Sequence, residues 1–225
     1  YQQVSKMTQQ FKCLGIVKGD IIAGYVPNTP ESIIAALAAA SLGAIWSSCS
    51  PDFGVQGVLD RFSQIKPKII IAANGYYYNG KTYDCMGKLL AISESLPSVE
   101  KLIIFNYTKK GEKLTNNPKV ISWENAQKTF VSSEIEFAQL PFNHPLYIMF
   151  SSGTTGAPKC IIHSAGGTLL KHLSEEVLHC NIKPGDRFLF FTTCGWMMWN
   201  WLITNLAWGA TVLLYDGSPS FPSLN

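Results

Sequence analysis

The sequence predicts an α/β fold: two βαβ-type subdomains with mostly parallel sheets flanked by helices, plus a hairpin carrying a polar loop. Three observations predict it. The first is a short apolar run from Ile21 to Val26, a proline-started helix, and a second apolar run from Ala44. Strand, helix and strand in that order usually build a parallel sheet. The second is an internal echo. Ile16-x-x-Gly19-Asp20, strand, helix, Gly43-Ala44 recurs as Ile182-x-x-Gly185-Asp186, strand, helix, Gly209-Ala210, each matched pair 166 residues apart. Convergence on a common spacing and descent of two halves of a double sheet both account for it. The third is the apolar run Tyr147 to Phe150, which breaks into Ser151-Ser152-Gly153-Thr154-Thr155-Gly156-Ala157-Pro158-Lys159 and returns as Cys160 to His163.

In chain order, Val4, Met7, Phe11 and Leu14 recur at helical spacing over residues 1–14, with Gly15 as the stop. A strand covers 21–26. Thr29 is placed to cap the next helix, Pro30 occupies its first position, and the alanine-rich stretch to Leu42 completes it. A helix is expected over 53–65, a strand over 68–73, a loop over 76–81, a helix over 85–95 and a strand over 101–106. Residues 107–120 read as a surface loop, 123–130 as a short helix and 132–145 as an irregular approach to the strand before Ser151. Beyond the hairpin, helices are expected over 165–180 and 197–208, and strands over 187–191 and 211–215. The approximate subdomains are 1–145 and 146–225.

Composition excludes several classes. With 47% hydrophobic and 15% charged residues and a net charge of +3, the chain is globular, and it has no basic cluster that would suit nucleic acid. No apolar run reaches a membrane span; the longest, Ile33 to Trp46, is broken by Ser41 and Gly43. The six cysteines form no C-x-x-C pair, so reduced thiols and a cytoplasmic location are expected. The chain opens on Tyr1 inside a helical pattern and closes soon after a strand, as a fragment of a larger protein would.

The stretch Ser151 to Lys159 concentrates hydroxyls, backbone N–H groups near glycine and one cation, an inventory that suits a polyphosphate. It is not a Walker A loop. Gly153 and Gly156 are too close, Lys159 does not follow glycine, and Cys160 stands where Ser or Thr is required. A polar turn between strands is the plainer reading of such a cluster. The string nevertheless fills every position of [ST]-S-G-[ST]-T-G-x-P-K after a strand. It thereby resembles the signature loop of the adenylate-forming enzymes, the superfamily of acyl-CoA synthetases, peptide-synthetase adenylation domains and luciferases. The resemblance implies that Ser151, Ser152, Gly153, Thr154, Thr155, Gly156 and Lys159 hold ATP phosphates, and that the fold is an incomplete adenylate-forming N-terminal domain with its site between two αβ subdomains.

A second segment, Thr192-Thr193-Cys194-Gly195-Trp196-Met197-Met198-Trp199-Asn200-Trp201, reads either as a buried aromatic core or as a site lining at the carboxyl end of a strand. It resembles the acyl-pocket segment of short-chain acyl-CoA synthetases, where acetate enzymes have G-W-[VI]-T-G-H. The departures at Met197, Met198, Trp199 and Asn200 imply a different acid. Together with Gly209-Ala210-Thr211-Val212 and Asp216-Gly217-Ser218-Pro219 they look most like the acetoacetate-activating members. Trp196, Met197, Trp199 and Asn200 are the expected pocket residues, with Asn200 a donor to a 3-keto oxygen. Lys81 lies where acetate enzymes place basic residues for CoA, although a solvated loop is the simpler reading.

The implied chemistry is acyl-adenylate formation from Mg2+–ATP with release of pyrophosphate, then transfer to CoA. The aromatic-Gly-x-Thr-Glu segment, the ribose-binding Asp and the catalytic Lys of the small C-terminal domain are missing from these residues. No catalytic residue is therefore assigned, and the chain alone is expected to be inactive. A truncated nucleotide- or partner-binding product and an adenylate-former with another acceptor are the alternatives.

Overall fold

A computed structural model describes residues 1–109, 117–151 and 156–223. Helix α1 (Gln2–Cys13) leads into β1 (Ile21–Tyr25), α2 (Pro30–Ser41) and β2 (Ile45–Cys49). Then come α3 (Val55–Ile65), β3 (Ile69–Ala73), β4 (Gly75–Tyr78), β5 (Lys81–Asp84), α4 (Met86–Ser95), β6 (Lys101–Phe105), β7 (Val120–Ser122) and α5 (Trp123–Lys128). The remainder is β8 (Pro145–Phe150), β9 (Cys160–Ser164), α6 (Ala165–Leu173), β10 (Arg187–Leu189), α7 (Met197–Thr204) and β11 (Thr211–Leu213).

The main sheet has seven strands in the order β7-β6-β3-β1-β2-β8-β9, with every neighbouring pair parallel except β8–β9. Its central strands β1, β2, β3 and β6 are buried on both faces, as parallel strands between helices must be, while the edge strand β9 is largely exposed. Alternation along β3 shows the division. Ile69, Ile71 and Ala73 join Met7, Phe11, Trp46 and Trp199 in one core. Ile70 and Ala72 join Phe62, Leu89 and Ile92 in the other. Gly24 of β1 faces the first core, where a Cβ would lie 2.6 Å from Trp46 Cζ2; the missing side chain is what lets that indole lie across the strand.

The echo is present bond for bond. Gly19 N–H donates to Gly43 O at 2.9 Å, and Gly185 N–H to Gly209 O at 2.9 Å. Ile45 N–H donates to Asp20 O at 2.8 Å, and Thr211 N–H to Asp186 O at 2.7 Å. The carboxylates match too: Asp20 accepts from Val17 N–H at 2.9 Å and Asp186 from Lys183 N–H at 2.8 Å. Gly19 and Gly185 both sit at positive φ, 89° and 88°. Shared capping and turn geometry fixes the register of both parallel pairs, Ile21 with Ile45 and Arg187 with Thr211.

Three sequence expectations need correction. The boundary at 145/146 does not separate the sheets, because β8 pairs with β2 at Trp46–Tyr147 and β9 pairs with β8. The second sheet begins only at β10 and comprises β10 and β11 among the described residues. Residues 76–81 are not a plain loop. Asn79 (φ 49°) and Gly80 (φ 71°) form a tight turn between β4 and β5, the usual service of an Asn-Gly pair. Of the surface loop expected over 107–120, residues 110–116 lie outside the described residues, and Val120 already belongs to a strand.

The helix expected over 165–180 changes winding. After Leu173 it continues as a π-helix, Ser174–His179, and Glu176 points inward, fully buried. Asn205 Nδ2 donates to Glu176 Oε1 at 3.2 Å, and the Trp208 indole N–H donates to Oε2. One turn earlier, His172 meets Thr204 Oγ1 at 2.8 Å. The Thr204 proton is committed to Asn200 O, so His172 Nδ1 is the donor. Burial pushes the Glu176 carboxyl up to about 7 from 4.5 and holds His172 down to about 4 from 6.5.

These two shifts oppose each other. Between pH 4.5 and 7 folded Glu176 binds more proton than the unfolded chain, so its contribution falls as pH rises. Between pH 4 and 6.5 the unfolded chain binds more at His172, so that contribution grows as pH rises. Glu176→Gln is therefore expected to give a melting midpoint that climbs from pH 4 to 6.5, and His172→Gln one that drops from pH 4.5 to 7. Thermal melts across that range read both slopes; parallel curves for the two variants would refute the assignment.

Candidate functional site

Because β1, β2, β3 and β8 run parallel, their carboxyl ends emerge at one end of the main sheet. The second sheet presents its carboxyl ends to the same place. Ser48 Oγ, just inside the end of β2, donates to Cys194 O at 2.6 Å, and Cys194 Sγ donates to Pro27 O at 3.3 Å. Between the sheets lies a cleft of about 430 Å³ lined by Ser50 to Asp52, Tyr76 to Tyr78, Tyr83, Phe191 to Thr193 and Tyr215 to Gly217. A neighbouring recess of about 250 Å³ shares Phe191, Thr192 and Thr193 and adds Phe190, Trp196 and Met198. Ligands in open α/β sheets bind at such strand ends.

The hairpin β8–β9 brings Ser151 and Lys159 to this end. Its base is pinned by Ser151 N–H to Lys159 O at 3.0 Å and Lys159 N–H to Ser151 Oγ at 3.1 Å. Gln64, near the end of α3, braces the exit: Nε2 donates to Pro158 O at 2.9 Å, and Oε1 accepts from Cys160 Sγ at 3.4 Å. Ser152, Gly153, Thr154 and Thr155 lie outside the described residues. Gly156 and Lys159 are exposed, and among the described residues Lys159 has no acidic partner.

The expected pocket residues divide. Trp196 is 64% exposed and Met197 42%, both at the start of α7. Trp199 is wholly buried, its ring 6.4 Å from that of Trp46 and its indole N–H 2.9 Å from Asn28 Oδ1. Asn200 is 2% exposed, and its Nδ2 donates to Met149 Sδ at 3.1 Å. One face of α7 thus supplies core, and the turn before it supplies the recess. Trp196 is the extended N-cap residue (φ −106°, ψ 151°) and stands outside the helix, so it does not share the buried face that Trp199 and Asn200 present from inside it. Lys81 begins β5 opposite Tyr78 and is exposed, with the stacked rings of Tyr76 and Tyr83 farther along the hairpin.

Residues that the sequence reading did not select also shape the site. Asp216 has a buried Oδ2 with no hydrogen-bond partner among the described residues. Burial raises its carboxyl above the ordinary range, although the Tyr107 hydroxyl and the Asn28 backbone favour the charged form. Asn28 links the sheets. Its position in Pro27-Asn28-Thr29-Pro30, between a strand and a helix, was the available signal. No group of three His, Cys, Asp or Glu side chains able to hold a metal occurs among the described residues, and no described helix is long and apolar enough to cross a membrane.

Comparison with known proteins agrees with this geometry. An acetoacetyl-coenzyme A synthetase of Rhizobium meliloti (strain 1021) is 52% identical over 225 residues, covering 99% of this chain and 34% of its own length. An acetoacetyl-CoA synthetase of Gallus gallus is 49% identical over 229 residues, covering all of this chain and 34% of its own length. The solved acetoacetyl-CoA synthetase from Streptomyces lividans superposes with a TM-score of 0.93 at 41% identity, over 98% of this chain and 33% of that one. The chain thus spans about a third of the length of the relatives it matches. The description "AMP-binding enzyme" matches residues 1–224, and the chain belongs to that family.

Proposed function

We propose that these residues form the phosphate- and acid-binding part of an acid–CoA ligase acting on acetoacetate, ATP and CoA. A carboxylate oxygen attacks the α-phosphorus of ATP, the bond to the β-phosphate breaks, and pyrophosphate leaves. The CoA thiolate then attacks the acyl carbon and AMP leaves. Adenylation supplies the leaving group that a carboxylate lacks, so the protein's task is positioning and charge stabilisation.

The observation that carries this reading is the hairpin holding Ser151 and Lys159 at the end of the main sheet where the cleft between the two parallel sheets opens. Ser151, Ser152, Thr154 and Thr155 would donate hydroxyls to the β- and γ-phosphates, with backbone N–H groups at Gly153 and Gly156. Lys159 would neutralise the departing pyrophosphate. Trp196 would face the acid from the recess with exposed Met197 next to it, and Lys81 would meet a phosphate of CoA. Trp199 and Asn200 are buried, and we read them as holding that wall in place. Magnesium enters as the ATP complex, and no protein ligand is assigned to it. Acetoacetate is favoured because the relatives bearing that name share about half of these residues. The six free cysteines suit a reducing compartment, and we place the reaction in the cytosol.

The test is ATP–pyrophosphate exchange by a full-length synthetase carrying this sequence, with acetate, butyrate and acetoacetate as alternative acids. Exchange is expected to be fastest with acetoacetate and to yield a thioester once CoA is added. Exchange with no carboxylate, or transfer to a carrier protein in place of CoA, would overturn the reading. Residues 1–225 alone are expected to release no pyrophosphate.

A further inference from the structure

Asn28 sits at the carboxyl end of β1, 5% exposed, and its polar atoms reach two other pieces of chain, α7 and the segment after β11. Oδ1 accepts the Trp199 indole N–H of α7 at 2.9 Å. Nδ2 donates to the Tyr215 carbonyl, past the end of β11, at 3.4 Å. The Asn28 backbone also favours the charged form of the Asp216 carboxyl. A carboxamide carries an acceptor and a donor on one neutral planar group, and both are used here; leucine of similar volume would supply neither.

The Trp199 bond acts on the helix itself. Ser48 and Cys194 fix the backbone before α7; its first turn is held by Trp199, between the Trp46 ring and the Asn28 amide, while Asn200 on Met149 and Thr204 on His172 hold the helix farther along. Trp196 and Met197 lie within one turn of Trp199 and are exposed; Trp196 lines the recess and Met197 follows it in the chain. Successive helical residues are about 100° apart, so a small rotation at Trp199 displaces both exposed side chains by several tenths of an ångström or more. Misplacement on that scale is sufficient to weaken recognition of a small acid.

We propose that Asn28 is a positioning residue for the acid: by tying Trp199 to the end of β11 it sets where Trp196 and Met197 stand. This rests on reading that segment as the acid-facing wall. It places part of the selectivity in the first sheet, on a residue that does not line either recess described above.

The experiment compares Asn28→Leu, Trp199→Phe and the double variant in a full-length synthetase carrying this sequence, by pyrophosphate exchange. Each single variant is expected to raise the KM for the acid about tenfold while the KM for ATP stays within about twofold. The double variant is expected to match the worse single one, because both remove the same bond. Equal changes in the two KM values, an unchanged KM for the acid, or additive effects would overturn the proposal. Trp199→Phe keeps the ring and its packing on Trp46, so it carries the test if Asn28→Leu does not fold. Failure of the ligase reading is distinguishable, since the wild-type protein would then show no acid-dependent exchange. An active wild-type enzyme whose variants show no KM split would sink the positioning role alone.

Discussion

Trp199→Ala is expected to lower the unfolding free energy of the chain by about 3–5 kcal/mol, the range for removing a fully buried large aromatic. The indole is wholly inaccessible, packs on Trp46, and gives its N–H to Asn28. Alanine would leave a cavity between α7 and the main sheet and would strand the Asn28 oxygen. Both effects have the same sign. Urea unfolding with tryptophan fluorescence checks it, and a midpoint unchanged from wild type would mean that this core seam does not bind the two sheets. Trp199→Phe should lose much less, because it preserves most of the packed volume.

Lys159→Ala is the variant with the largest expected effect on chemistry. If Lys159 meets the departing pyrophosphate, its removal should cost about 10²-fold in the adenylation rate, comparable with losing one preorganised donor at a developing charge. The acid KM should change little, since on the same reading the acid sits by the Trp196 recess, away from the hairpin. Stability should move by no more than about 0.5 kcal/mol, because the side chain is exposed and, among the described residues, makes no ion pair. Rapid-quench measurement of pyrophosphate release in the full-length synthetase separates the rate from binding. A rate within twofold of wild type would remove Lys159 from the phosphate site.

Much of the fold was legible because strands and helices alternate with clear punctuation. Pro30 opens α2, and the strands β1, β3 and β6 are short apolar runs between charged or turn residues. The hairpin at 75–84 was missed although Asn79-Gly80 is a strong turn signal. Three adjacent tyrosines and a flanking lysine hide the alternation that marks a strand. The π-winding after Leu173 leaves no trace in residue type, since it depends on how Glu176 reaches Asn205 and Trp208. The sheet boundary was misplaced for a similar reason: the pairing of β8 with β2 is decided by contacts about a hundred residues apart in sequence, which local patterns do not encode.

At the site, the loop Ser151 to Lys159 stood out because its composition is unlike any core element. Asn28 and Asp216 did not, since each is an ordinary turn residue until the two sheets meet. The aromatic segment was ambiguous by nature. Core and pocket both select tryptophan, and only the three-dimensional structure separates exposed Trp196 from buried Trp199.

The paired frames at Gly19–Gly43 and Gly185–Gly209 carry a consequence for how such a protein can change. Backbone bonds and two aspartates supply that wiring, so the helix between its strands is free to differ in content. One copy carries alanine-rich α2, a thin spacer between α1 and the sheet; the other carries α7, thick with tryptophan and methionine. The same scaffold therefore bears opposite cargo. If Trp196, Met197 and Met198 face the acid as proposed, a library confined to them would sample new acids without touching the residues that register either sheet, which leaves the fold as a constant against which selectivity can be varied.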